Sequence, residues 1–509
     1  MIDPTITIAL DTINLKKQGL VFANSKRSAE KAAEDISKKI KNTRLINLSE
    51  QILKALSRPT KQCERLAKCI EKGIAFHHAG LHSKQRELIE NNFRKGVIKI
   101  ICATPTLAIG IDMPAFRVIL KDLRRYGFRG LDWIPTLEYL QMCGRAGRPS
   151  YDNEGQAIAI AQTENSREEI EFRYVYGQPE DIYSKLAVEP VLRTYVLSLI
   201  ATKFVKTKKQ LIEFFMKTFW AKQYKDKNRL IKIIEKMIDL LTDFKFIISD
   251  KEKSDFISAN EYGDDEKFEA TKMGERVAQL YIDPLTAKFI IDCLERSQNK
   301  VISSFSFLLI VTRTLEMRPY LRVKVKELDD IQASHIQLHE NILEDEPSQF
   351  ETEYDDFICS LKTALMLQEW IDEKSEEDLL QKYDVRPGEL NVKILNGDWL
   401  LYASEEICRI LKKHKLLKEI SKTRFRLKNG IKEELIPLLS LKGVGRMRAR
   451  KLYENKLRDI GDIKKVDILT LSQIVGKRLA TNMKEQLGEK VEKIKENKRK
   501  GQISLNDWN

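Results

Sequence analysis

Residues Ile98 to Leu120 read IKIICATPTLAIGIDMPAFRVIL. Two β-branched runs, Ile98 to Ala103 and Arg117 to Leu120, flank a Thr-Pro-Thr turn and a stretch that holds Gly110 and Asp112. Short apolar runs of this kind fit strands buried on both faces. Working outward, Gly19 to Ala23 (GLVFA), Gly73 to Phe76 (GIAF) and Gln156 to Ala161 (QAIAIA) read the same way, with amphipathic helices near Lys26 to Ile40 and Ser83 to Lys95. Strands alternating with helices predict an α/β fold, a parallel sheet covered by helices on both faces. Its ligands belong at the carboxyl ends of the strands.

After about residue 178 long helical patterns take over, at Leu192 to Ala201, Lys208 to Thr218 and Lys227 to Leu241. Leu241 to Phe256 (LTDFKFIISDKEKSDF) then reads as the β-wing of a winged helix, and a mostly helical block runs from Ala270 to Asn429. Within that block, Glu327 to Phe357 holds 11 acidic residues and no Lys or Arg, and is read as a solvated loop.

Length and charge bound the function. The 509 residues are 42% hydrophobic and 32% charged, which argues against disordered, collagenous and membrane classes. Phe305 to Thr312 is the kind of uncharged run present, far below the roughly 20 residues of a bilayer span. Without a basic-then-apolar start, the expectation is a cytoplasmic, nucleoid-associated protein with no membrane partner. Seven scattered Cys with no C-x-x-C pair predict reduced thiols rather than zinc or disulfides. Lys+Arg 89 against Asp+Glu 75 gives +14, or +25 once the acidic segment is set aside, and Ile431 to Asn509 carries +8. Such a balance suits a polyanion-binding surface.

Two clusters carry chemistry. Thr104 and Thr106, at a strand end, offer hydroxyls and backbone N–H groups to a phosphate. Gln141, Arg145 and Arg148, in EYLQMCGRAGRP, fall at i, i+4 and i+7 and would share one face if the preceding helix continued. Two guanidiniums and an amide there could hold a phosphoryl group. His77, His78 and His82 have no neighbouring Cys or carboxylate arrangement, so no metal is assigned.

With QGLVFANSKRSAE (Gln18 to Glu30) and FHHAGLHSKQR (Phe76 to Arg86), these segments resemble motifs IV, IVa, V and VI of superfamily 2 helicases. More narrowly the chain resembles archaeal DNA-repair helicases of the Ski-two-like branch, related to the helicase part of polymerase theta. SKLAVEPVLRTYVLSLIAT, QLYIDPLTA and LKTALMLQEWI extend the resemblance through Ile371. It implies that Thr104 and Thr106 contact the nucleic-acid backbone, that Gly110 and Asp112 face the nucleotide, and that Gln141, Arg145 and Arg148 act at the γ-phosphate. Where Asp112 stands, this branch often has Asn. The resemblance also places a strand-separating hairpin at Lys121 to Trp133, with Arg124, Arg125, Tyr126, Phe128 and Arg129 against DNA. It puts a ratchet helix at Pro387 to Ser404, with Trp399 stacking on bases and Lys393 standing beside Val392, where the family has Arg.

Leu438 to Leu452 (LLSLKGVGRMRARKL) reads as a helix-hairpin-helix in which Lys442, Gly443, Gly445, Arg446 and Arg448 face a DNA phosphate. The end of the chain, with Gln502, Leu505 and Trp508, resembles the box that binds the sliding clamp PCNA. The domains are read as 1–178, a second RecA-like domain; 179–265, winged helix; 266–430, helical ratchet; 431–489, helix-hairpin-helix; and 490–509, a basic tail. Neither G-x-x-x-x-G-K-[ST] nor D-E-x-[DH] occurs. The expectation is therefore a C-terminal subunit or fragment of an ATP-dependent 3′ to 5′ helicase for single-stranded and forked DNA. ATP and Mg²⁺ would be bound jointly with a separately encoded N-terminal RecA-like domain. The alternative is a non-catalytic adaptor that binds DNA and the clamp.

Overall fold

A computed structural model describes residues 3–41, 44–56, 58–109, 113–127, 130–148, 152–224, 226–250 and 266–489. In the first part, β1 (Gly19–Phe22), β2 (Ile74–His77), β3 (Ile100–Ala103) and β4 (Arg117–Leu120) are buried along their whole length. β5 (Arg124–Gly127) and β6 (Gly130–Trp133) form a separate antiparallel hairpin, and β7 (Gln156–Ala159) is a half-buried edge strand. The main sheet is parallel, in the order β2-β3-β1-β4-β7. Helices Lys26–Ser37, Lys61–Ile70 and Ser83–Arg94 start at Ser25, Thr60 and His82, whose side chains accept N–H groups of the first turn. Leu20, Phe22, Phe76, Ile101 and Ile119 lie at the centre of this core.

Helices Glu189–Ala201, Lys208–Met216, Phe219–Gln223 and Lys227–Asp243 follow. They lead into β8 (Ile247–Ser249), which pairs antiparallel with β9 (Phe268–Ala270). β8 falls where the sequence suggested the first wing strand; Phe256 lies outside the described residues. A boundary at 265/266 does not divide the core. One apolar cluster runs from Leu192 to Leu427, and the buried pair Arg193–Asp283 (2.6 Å) ties the two sides together.

The acidic segment is not the solvated loop expected. It folds into helix Leu328–Leu338 and a turn His339–Asn341, then enters helix Tyr354–Ile371. The reason is its apolar spacing: Ile331, Ile342, Phe357 and Ile358 pack on Phe305 and Leu309, and Glu344 is drawn inward to pair with Arg313 at 2.7 Å. Charge count hid this pattern. Beyond Gly430 a third core, including Leu435, Val444, Leu452, Leu471 and Ala480, holds together the small C-terminal helices.

Candidate nucleic-acid and nucleotide faces

The carboxyl ends of β1 and β3 deliver Asn24, Ser25 and Thr104 to one edge of the sheet. Thr104 and Thr106 are brought together, Oγ1 to Oγ1 2.9 Å. They line a cleft of about 700 Å³ shared with Lys26, Arg27 and Arg125 on this side and Lys324 and Arg386 from the helical region. Arg125 pairs with Glu138 at 2.9 Å, and Asp384 bridges Arg27 and Lys324 at 3.2 Å each. Hydroxyls and cations converging on one cleft suit a phosphodiester backbone, which is recognised through its charge.

Beside the cleft stands the β5–β6 hairpin, where the sequence placed one. Arg124 pairs with Glu169 (3.1 Å) and its guanidinium lies 4.1 Å from the Trp133 ring centroid, while the Asn24 amide donates to the Arg124 carbonyl. Tyr126 sits in β5 opposite Leu131. Phe128 and Arg129, and likewise Gly110 and Asp112, fall outside the described residues.

Motif VI departs from the helical face expected for it. Helix Thr136–Cys143 carries Gln141 on its exposed side and is capped at Gly144. The chain then bridges to Ala115, whose N–H donates to the Arg145 carbonyl (2.9 Å) and whose carbonyl accepts from Gly147 (2.7 Å). That bridge stops the helix, so Gln141, Arg145 and Arg148 do not lie on one helical face. The Arg145 guanidinium donates twice to the Ala108 carbonyl, at 3.1 and 2.6 Å. Arg148 forks onto Asp152 (2.6 and 3.2 Å) and reaches Gln18 Oε1 (2.8 Å). Gln18 immediately precedes β1, so Arg148 sits at the amino end of that strand, a strand length from the threonine edge. Thr104 and Thr106 obey the carboxyl-end expectation, and Arg148 does not. Hydrogen bonding from Arg148, with help from Lys17, holds the Asp152 carboxyl down at about 2.

A buried polar network, missed in the sequence, fastens the sheet domain to the long helix Pro387–Ile410. Glu30, 2% exposed, accepts from Gln62 (2.7 Å), His78 (3.1 Å) and Arg65 (2.9 Å), and Arg386 lies 3.5 Å away. His78 Nδ1 accepts the Gly80 N–H (3.1 Å), which leaves its proton on Nε2 for Glu30. Just past Arg386, the Gly388 N–H donates to the Gly80 carbonyl (3.1 Å), and Lys26 pairs with Glu389. FHHAGL is thus the socket for the start of this helix. The other two histidines of this stretch have separate partners, His77 with Glu90 at 3.0 Å and His82 as a helix cap. Burial works to raise the Glu30 carboxyl, yet the hydrogen bonds from His78 and Gln62 and the Arg386 charge hold it down at about 2. A carboxyl depressed on folding adds stability that is complete above its ordinary 4.5 and is lost as pH falls toward 2. Chemical denaturation across that window should show a steeper acid loss for the native chain than for Glu30→Gln.

On the long helix two expected DNA contacts are corrected. Lys393 is buried and donates to the carbonyls of Met317 and Pro319, the latter at 2.6 Å, and burial lowers its pKa to about 8. Its hydrogen bonds are spent on backbone oxygens rather than on a strand. Trp399 is half-buried, with its indole N–H tied to the Leu280 carbonyl at 3.0 Å and its ring against the main helical core. The exposed positions on this face are instead Val392 (51%) and Leu395 (60%), at i and i+3, with Trp399 one turn further.

In the C-terminal region Gly445 opens helix Arg446–Glu454; Lys442 and Gly443 are exposed at the preceding turn and Arg448 in the first turn of the helix. Arg448 Nη1 donates to the Gly443 carbonyl at 2.8 Å. Arg446 is corrected: it stacks on Trp370 (4.6 Å) and donates to the Lys374 carbonyl (2.6 Å), locking this domain to its neighbour. A second hairpin was overlooked, with helices Ile468–Val475 and Lys477–Gln486 joined at Gly476. Gly443 (φ +87°) and Gly476 (φ +89°) both take a positive φ that favours glycine, and exposed Lys477 and Arg478 follow the second as basic residues follow the first. The signal was a glycine and two cations after an apolar run. Gln502, Leu505 and Trp508 lie outside the described residues.

Three family models match the chain: the helicase conserved C-terminal domain at residues 5–150, domain 4 of archaeal helicases at 305–430, and the SAM-like helix-hairpin-helix tandem at 435–489. The chain is 37% identical over 506 residues to the ATP-dependent DNA helicase Hel308 of Pyrococcus horikoshii, an alignment covering 97% of this chain and 67% of that protein. The chain belongs to the Hel308 family. The Hel308 protein of Methanococcus vannielii is also 37% identical, over 518 residues, with 93% of this chain and 66% of that one covered. The chain thus spans about two thirds of the length of these Hel308 relatives. Four of the five strands of its parallel sheet, β1 to β4, fall within the helicase C-terminal model, the tandem model spans both glycine hairpins, and the domain 4 model includes helix Pro387–Ile410.

Proposed function

We propose that this chain supplies the second RecA-like half, the strand-separating hairpin and the DNA ratchet of an ATP-dependent 3′ to 5′ DNA helicase acting on forked DNA at stalled replication. The observation that carries this is the cationic cleft in which the Thr104–Thr106 edge faces Lys324 and Arg386, with the β5–β6 hairpin at its side. A strand held there by its phosphates meets the hairpin, and its bases pass along the exposed Val392–Leu395 face. Exposed apolar side chains pack on any base, which suits a sequence-tolerant path. Residues 188–270 serve as the winged helix and Pro387–Ile410 as the ratchet helix.

The phosphate-cradling loop and the carboxylates for Mg²⁺ come from a first RecA-like domain outside these 509 residues. Gln141, Arg145, Arg148, Gly110 and Asp112 complete the ATP site from this side. Arginine supplies charge to the γ-phosphate as it leaves. The helix-hairpin-helix tandem grips duplex or tail phosphates through Lys442 and Lys477, and Gln502, Leu505 and Trp508 take a sliding clamp. Replacing both lysines by Ala should weaken DNA binding across sequences and reduce the slope of log affinity against log salt by about one for each phosphate no longer neutralised. Fluorescence anisotropy at several salt concentrations measures both.

Polarity is tested with the complete motor on forks carrying either a 3′ or a 5′ single-stranded tail. Strand separation that requires the 3′ tail supports the proposal; an equal or greater rate on the 5′ tail rejects it.

A further inference from the structure

The acidic segment carries a second cluster of chemistry, on the opposite kind of charge from the DNA cleft. His335 lies in the last turn of helix Leu328–Leu338 and His339 follows in the helical turn after it. At i and i+4 the two imidazoles project from the same side. Both point at one carboxylate: His335 Nε2 contacts Glu346 Oε2, and His339 Nδ1 lies 2.7 Å from Glu346 Oε1. The three candidate donor atoms fall within 4.8 Å of one another.

Several features make this more than a chance surface pair. The His335 ring is fixed edge-on against Phe357 at 5.3 Å, so the donor is pre-oriented by the small core beneath it. Glu346 and His335 each keep only 21% of their side chain exposed. Ile342 and Leu343, in the connection between His339 and Glu346, are buried, which holds that connection in place.

We propose that His335, His339 and Glu346 form a site for a divalent transition metal of the zinc class. Two imidazole nitrogens and one carboxylate oxygen are a donor set that zinc accepts, with water in the fourth position. The rings bind as neutral imidazoles, and the ion takes the place of the contacts that both rings now make with Glu346. Mg²⁺, which prefers oxygen donors and keeps its waters, is a poor occupant. The bound ion would pin the 339–346 connection to the end of its helix and close the acidic excursion over Phe305 and Phe357. This site stands apart from the cleft and does not rest on the helicase reading.

The test uses the full chain stripped with EDTA and dialysed, titrated with Zn²⁺ alone by calorimetry and with Co²⁺ for its visible absorption, with excess Mg²⁺ as competitor. The expected result is one Zn²⁺ per chain, undisturbed by Mg²⁺, and a Zn²⁺-dependent rise in unfolding temperature. His339→Ala, at a side chain 62% exposed and outside the core, and Glu346→Gln should each weaken binding by tenfold or more and abolish that rise, with an unchanged circular dichroism spectrum. Absence of Zn²⁺ binding overturns the proposal, as does binding that both variants retain in full, which would place the ion elsewhere.

Discussion

Arg148→Ala, in this chain assembled with a RecA-like domain that carries a Walker loop, is expected to lower DNA-stimulated ATP turnover by about 10³- to 10⁵-fold, the range over which an arginine finger acts. That corresponds to roughly 4 to 7 kcal/mol of barrier. The expectation follows from the proposed role of Arg148 at the γ-phosphate. Arg148 is held by the fork of Asp152 and by Gln18, so its guanidinium is placed before any nucleotide arrives. Asp152 is itself buried and keeps Lys17 as a second partner at 2.6 Å, so losing Arg148 does not strand it. Folding should therefore survive while turnover fails, and Arg148→Lys, which keeps charge without the planar fork, should recover little. DNA affinity should be unchanged, because Arg148 lies at the opposite end of β1 from the cleft. Arg145→Ala should differ, since Arg145 braces the Ala108 carbonyl just after Thr106 and its loss disturbs both ATP turnover and DNA binding. Steady-state ATPase assays with and without DNA, beside anisotropy measurements, separate the two arginines.

Gly388→Val should uncouple the sheet domain from the long helix. Any Cβ at this position would lie 2.2 Å from the Ala79 carbonyl oxygen and 2.5 Å from that of Leu81. Those obstacles are backbone in the FHHAGL socket, which cannot rotate away as a side chain would. The helix start must withdraw, taking with it the Gly388–Gly80 hydrogen bond and the Arg386–Glu30 and Lys26–Glu389 ion pairs. Overpacking of this kind costs about 1 to 3 kcal/mol, and the buried charges of Glu30 and Arg386 place it near the upper end. In the complete motor, unwinding should be lost while DNA-stimulated ATPase persists, because the arginines are untouched. A lowered unfolding midpoint together with ATPase that no longer drives strand separation is the expected pair of results. Unwinding at the native rate would mean that the socket does not transmit motion.

Much of this architecture was legible in the residues. The short apolar runs marked the strands of the parallel sheet because these are buried on both faces and need no alternation. The hairpin at 124–133 and the first glycine turn at 443–445 carried their own local punctuation. What escaped were features made by residues distant in sequence. Lys393 and Trp399 sit on a helix of the right kind, yet which face a residue occupies there depends on Met317, Pro319 and Leu280. Arg446 looked like one more cation of a basic run until Trp370 was found beneath it. Motif VI failed as a helix because Ala115 pairs with its backbone. The acidic segment misled through charge, its sparse apolar residues being enough to order it once Phe305 and Leu309 are beside them.

The most direct test of the account is ATP hydrolysis measured on this chain alone and again after addition of a separately produced RecA-like domain bearing the Walker loop, each with and without single-stranded DNA. The account predicts no turnover from the chain alone, and DNA-stimulated turnover from the mixture that disappears with Arg148→Ala. Full DNA-stimulated turnover by the chain alone, or a mixture that binds DNA and stays inactive, would contradict it.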